Sequence, residues 1–171
     1  MAAKTATINL KVKELIFDVR NKAFLTGQSR EADGTANFEA ASSIKASDDE
    51  DNIYQIKRSI ATAFGSLKNI VGEYLNGSDT TANNQLSEAI DDEEKDLTLA
   101  LNMPGNFNPS AIEAISTNAH AYIVDLALAD WFTITAPTMA DGYVAHSAIC
   151  IDTIKRSLHK RSRPQKPTYT D

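Results

Sequence analysis

The sequence predicts a mainly α protein, a bundle of about four helices with a small β-hairpin between the second and third main helices. Three observations predict it. Apolar residues recur at steps of three and four along four long segments. The stretch from Leu97 to Met103 alternates instead, with the period of a half-buried strand. Finally, 171 residues suit one domain that buries roughly 70% of its unfolded surface. We read residues 1–161 as that domain and 162–171 as an extended basic tail.

The first helical segment runs from Lys11 to Leu25, with Val12, Leu15, Ile16, Val19 and Ala23 on one face and Gly27 placed to cap its end. Ile8, Leu10 and Val12 also alternate, which leaves open a strand entering the helix. Residues 28–46 are polar and small and read as a long loop, with room for one helical turn around Phe38, Ala41 and Ile44. The second helix opens at Ser47, with Glu50 three residues on as a capping box. Asp48, Asp49, Glu50 and Asp51 load its first turn with the charge that the helix dipole favours, which explains that acidic run without a metal. Ile53, Ile56, Ile60, Phe64, Leu67, Val71 and Leu75 then form one apolar face.

The expected hairpin spans about 84–103. Asn84 to Ile90 would pair with Leu97 to Met103 through the acidic turn Asp91 to Asp96. The third helix starts at Asn108-Pro109, a cap followed by proline at the first helical position, and stops near Ile134 before Pro137. Ile112, Ile115, Ala119, Tyr122, Ile123 and Leu126 form one face, while Val124, Leu128 and Trp131 cover a second. A helix apolar on two sides is normally central. The fourth helix begins at Thr138, with Asp141 three residues later as a capping pattern, and ends near Lys160.

Charge is divided unevenly. Residues 155–171 carry Lys155, Arg156, Lys160, Arg161, Arg163 and Lys166 against Asp171 alone, 6 − 1 = +5; the other residues carry 17 − 6 = 11 basic and 23 − 1 = 22 acidic groups, or −11. An acidic body therefore ends in a basic strap that Pro164 and Pro167 keep from continuing as helix. Such a strap reads as a docking arm for an acidic protein groove, as a solvated end, or as a salt-sensitive phosphate contact. The acidic body opposes close approach of DNA, and the docking arm is the reading adopted, with Pro164 among its residues.

Reaction chemistry is sparse. His120, His146 and His159 fall in no His-x-x-x-His arrangement, and no Cys-x-x-Cys exists, so neither metal nor cofactor is expected. His146 and Cys150 are four apart and can meet on one helix, but the sequence offers no third group to orient them as a nucleophile and its base. Asp91, Asp92, Glu93 and Glu94 point in different directions from one turn and read as solvated carboxylates. No Gly-rich phosphate loop and no stacking platform for single strands is present. A single cysteine excludes an internal disulfide and points to a reducing compartment. Met1 to Asn9 lacks an apolar core for a signal peptide, and no apolar run approaches the ~18 residues of a membrane span. A non-enzymatic assembly component is the expectation.

The order of parts resembles the head–tail connector, or adaptor, proteins of tailed bacteriophages, which form a ring beneath the portal. An acidic "DDD" start, a long helix ending near Tyr-Leu or Tyr-Thr-Gly, a short β element and a Pro-x-x-(I/L)-x-x-A helix recur in that family. The matching stretches here are SDDEDNIYQIKRSIATAFGSLKNIVGEYLNG (47–77) and NPSAIEAISTNAHAYIVDLALADWF (108–132). VRNKAFLTGQSR, ATAFGSLK and DLALADWF are also similar to structural proteins of phages and prophages of Bacteroides-type bacteria. The helix and loop from Lys11 to Ala46 are additional to the simplest adaptors. The resemblance implies a virion neck protein made in the host cytoplasm, in a homo-oligomeric ring of about twelve subunits. Its partners would be the portal and adjacent neck or tail rings, with genomic DNA passing through the lumen unbound. The strap would reach a neighbouring protein, and Asp91, Asp92, Glu93 and Glu94 would face the channel or the next ring. A tail-completion or terminator protein is the structural alternative, and a small helical nucleic-acid-binding regulator the alternative of another class.

Overall fold

β1 (Lys4–Lys11) runs without a loop into α1 (Val12–Ala32), the first helix of a mainly helical body with one small antiparallel sheet. The computed structural model describes residues 4–32, 38–46, 49–82, 90 and 92–164. After α1 come α2 (Phe38–Ile44), α3 (Glu50–Ile70), a 3-10 turn at Gly72–Tyr74, β2 (Asp96–Met103), α4 (Ala111–Thr135) and α5 (Pro137–Leu158).

The strand from Leu97 to Met103 forms as expected, but its ladder partner is β1, in the register Lys4 opposite Met103 through Lys11 opposite Asp96. The alternation of Ile8, Leu10 and Val12 was therefore a strand signal in its own right, and Ala6, Ile8 and Leu10 face the core. The second edge of β2 is covered by residues 75–81. Leu75 bridges to Leu101, the Asn76 amide donates to the Ala100 carbonyl at 2.9 Å, and the Thr81 amide donates to the Thr98 carbonyl at 2.9 Å. Both edges need cover because Leu99, Ala100 and Leu101 are all buried, so their backbone groups have no water to pair with. Of the expected hairpin's first arm, residues 84–89 lie outside the described residues, whereas Ile90 is helical and buried.

The long loop at 28–46 is largely helical where described. α1 continues through Gly27 to Ala32, so Gly27 is not a cap. Instead it lets the chain around α2 approach: a Cβ there would lie 2.6 Å from Lys45 Cγ and 2.9 Å from the Ala41 carbonyl oxygen. Ala41 and Ile44 are buried beneath α2.

α3 buries the predicted face through Ile56, Ile60, Phe64 and Leu67 but ends at Ile70, short of Leu75. There the chain tightens into the 3-10 turn, which frees Leu75 to join the edge of β2. Ser47 of the expected capping box lies outside the described residues; Asp49 holds the N-cap position, with Glu50 and Asp51 in the first turn. At α4, the Asn108 carboxamide oxygen accepts from the Ser110 amide, so Asn108-Pro109 forms the turn before the helix rather than its first residues. The Thr138–Asp141 cap does not form, since Pro137 itself takes the first position of α5, where its missing N–H costs nothing.

α4 is central as its two apolar faces predict. It packs most extensively on α5 and also meets α3, α1 and α2. Phe132 stacks on Tyr143 of α5 at 5.3 Å, and the Trp131 indole donates to the Ile44 carbonyl at 2.9 Å. One continuous hydrophobic cluster links all these elements. No helix among the described residues is long and apolar enough to cross a membrane.

Candidate functional site

The root of the strap is fastened to the body. The Ser162 amide donates to the Asn106 carbonyl at 2.8 Å, the Asn108 amide donates to the Lys160 carbonyl at 3.2 Å, and Phe107, fully buried, bridges to Arg161. The Arg161 guanidinium turns back and donates to the carbonyls of Leu158 (2.7 Å) and Lys160 (3.2 Å), closing the C-terminus of α5. Arg156 pairs with Asp152 one turn earlier at 2.9 Å. Two of the six predicted cations are thus engaged within the chain. The side chains of Lys155, Lys160 and Arg163 are exposed and make no ion pair among the described residues, and Pro164 is exposed beside them. Lys166 lies outside the described residues. His159, at the end of α5, meets Tyr74 edge-on, with its Nδ1 3.4 Å from the phenol oxygen.

The acidic turn is tied to two helices. Asp92 forms its corner, accepting from the Glu94 amide at 3.2 Å and pairing with Lys95 at 3.7 Å. Glu93 reaches Lys57 of α3 and Glu94 reaches Lys13 of α1, each at 3.3 Å. Asp91 lies outside the described residues. The Glu94 pair is solvent-exposed at both ends, so it fixes the turn only weakly.

A third cluster was only half visible in the sequence. His146 and Cys150 do meet on α5, with Cys150 Sγ 4.0 Å from His146 Nδ1. The missing third group is Asp125 of α4, whose Oδ2 lies 2.5 Å from the same nitrogen. Asp125 is 2% exposed and Cys150 3% exposed, whereas the His146 side chain is 58% exposed. Lys22 of α1 reaches the other carboxylate oxygen of Asp125 at 3.9 Å. A carboxylate this deep needs partners, and helices on both sides supply them. Sequence periodicity could not reveal this, because Asp125 stands among Val124, Ala127 and Leu128 and its partners lie on other helices.

The geometry decides which chemistry these groups suit. A nucleophile relay uses one imidazole nitrogen for the thiol and the other for the carboxylate. Here both face Nδ1. Burial pushes the Cys150 thiol up, and Asp125 pushes it further against the lowering influence of Lys22, so the nucleophilic thiolate is disfavoured. What remains is a convergent set of oxygen, nitrogen and sulfur donors, all within 4.8 Å of one another.

Two shallow surface grooves lie among the described residues. One, about 370 Å³, lies where α3 meets α4 and holds the Ser59–Asp130 hydrogen bond. The other, about 390 Å³, is lined by Phe17 and by His120 hydrogen-bonded to Asp18, with His120 Nε2 2.8 Å from Oδ2. His120 is therefore a half-buried bridge between α4 and α1. The sequence matches no family model, and neither curated proteins nor solved structures contain a match to it.

Proposed function

We propose that the chain is a structural subunit of a bacteriophage neck, a ring-forming head–tail connector that joins the portal to the tail and lines the DNA channel. The observation that carries this reading is the strap: its root is clamped to the loop at 104–108, while Lys155, Lys160, Arg163 and Pro164 stand exposed at and beyond the end of α5. A clamped root holds the exposed Lys160 and Arg163 at a defined place on the body, which suits a docking arm. The acidic body disfavours adhesion of DNA to the channel wall, because like charge repels phosphate.

A ring needs two different contact faces on each subunit. Large apolar side chains exposed on α1 (Phe17, Phe24, Leu25) and on α5 (Val144, Ile149) suit such contacts. The carboxylates of Asp92, Glu93 and Glu94 remain at the surface and suit the lumen or a ring-to-ring contact. A reconstruction of a phage particle carrying this chain tests the reading. It should place the chain in the neck as a closed ring, with the strap lying on an adjacent protein. A chain absent from the particle, or a strap free in solvent within it, would overturn the reading.

A further inference from the structure

We propose that Asp125, His146 and Cys150 bind one divalent metal ion of the zinc class, joining α4 to α5. The donor set is the starting point. Zinc is held by carboxylate oxygen, imidazole nitrogen and thiolate sulfur, and a site with three protein ligands keeps a fourth position open. Softer thiolate and imidazole donors select zinc-class ions over magnesium or calcium.

Distances fit a short adjustment. Zinc bonds of about 2.0–2.3 Å place tetrahedral ligand atoms roughly 3.3–3.8 Å apart. Asp125 Oδ2 and His146 Nδ1, now 2.5 Å apart, must open by about 0.8 Å to reach the short end of that range; Cys150 Sγ, 4.0 Å from Nδ1, must close slightly. The adjustment falls to the His146 side chain, which is more than half exposed. Asp125 and Cys150 are held by the most extensive helix pair in the fold, so two donors are fixed before the ion arrives. His146, more than half exposed, gives the ion a way in and leaves its outer side to water or to a partner's side chain.

Protons balance simply. The ion takes the place of the proton between Nδ1 and Oδ2, which leaves to solvent while the neutral ring keeps its one proton on the other nitrogen, Nε2; the thiol proton also passes to solvent as the thiolate–metal bond forms. Oδ2 is the ligand atom because it is the Asp125 oxygen that already meets His146, while Oδ1 faces the half-exposed Lys22 amine at 3.9 Å, beyond hydrogen-bond reach. This inference is independent of the neck reading.

Titrating the full chain with Co²⁺ as the spectroscopic probe tests it. One ion per chain should produce tetrahedral ligand-field bands and a thiolate-to-metal charge-transfer band, both bleached by Zn²⁺. Cys150→Ser should abolish the charge-transfer band. Loss of outer partners alone weakens metal sites by about 10–100-fold, so His146→Gln, at an exposed position and with helicity checked, should weaken binding at least about tenfold. Zn²⁺ should also slow alkylation of Cys150 in the unaltered protein. Absence of a thiolate band at saturating Co²⁺, or unchanged affinity in His146→Gln, would overturn the site.

Discussion

Asp125 Oδ2 and His146 Nδ1, 2.5 Å apart, join the most buried carboxylate among the described residues to a half-exposed ring on the neighbouring helix. The relationship is asymmetric, and so are its consequences. His146→Ala leaves the Asp125 carboxylate buried with Lys22 alone at 3.9 Å, and an unsatisfied buried group of this kind costs about 1–3 kcal/mol. Asp125→Asn keeps a hydrogen bond to the ring and removes the buried charge, so it should cost less. Urea unfolding of the two metal-free variants checks the order.

Glycines at two positions should respond with opposite signs. Gly27→Ala drives a Cβ to 2.9 Å from the Ala41 carbonyl oxygen and should destabilise by about 1–3 kcal/mol, as overpacking does. Gly65→Ala meets nothing within 4 Å on α3 and should stabilise by up to about 1 kcal/mol through helix propensity. Chemical denaturation of both variants, fitted with a common slope, measures the contrast.

The second edge of β2 depends on hydroxyls. Thr80 Oγ1 accepts from the Ala100 amide at 3.0 Å, and Thr81 Oγ1 accepts from the Thr98 amide at 2.9 Å. Thr80→Val leaves the buried Ala100 amide without that acceptor and should cost about 1–3 kcal/mol. Hydrogen exchange should accelerate at Ala100 while the amides of α4 keep their protection relative to global stability.

Trp131 is the single tryptophan, and its indole donates to the Ile44 carbonyl, so its fluorescence reports the docking of α2 on α4. Ala41→Asp places a charge at a fully buried position of α2. It should shift that emission to the red, as water reaches the ring, under conditions where far-ultraviolet ellipticity still shows helix. An unchanged emission maximum would mean that α2 does not shield the indole.

Long amphipathic segments were legible because one helix carries its own pattern: the faces of α3 and α4 were readable from the spacing of Ile56, Ile60, Phe64 and Leu67, and of Ile115, Ala119, Tyr122 and Ile123. Long-range pairing was not. The alternation at Ile8 and Leu10 announced a strand but not that Met103 would lie opposite Lys4, since strand partners share no local signal. Gly27 looked like a helix end because a cap and a close helix contact both call for glycine. The site was legible as far as one helix reaches: His146 and Cys150 were visible as neighbours, while Asp125 and Lys22 come from two other helices. Likewise, the strap's six cations were plain, but Arg156 and Arg161 direct their charge inside the chain.

The most direct measurement of the central claim is assembly with the portal protein, followed by native mass spectrometry, for a chain carrying Lys160→Gln, Arg163→Gln and Lys166→Gln. These surface changes should alter folding stability by no more than about 0.5 kcal/mol each. Our account predicts that the unaltered chain forms a ring on the portal and that the variant, equally helical, does not. A variant that assembles as well as the unaltered chain would contradict it.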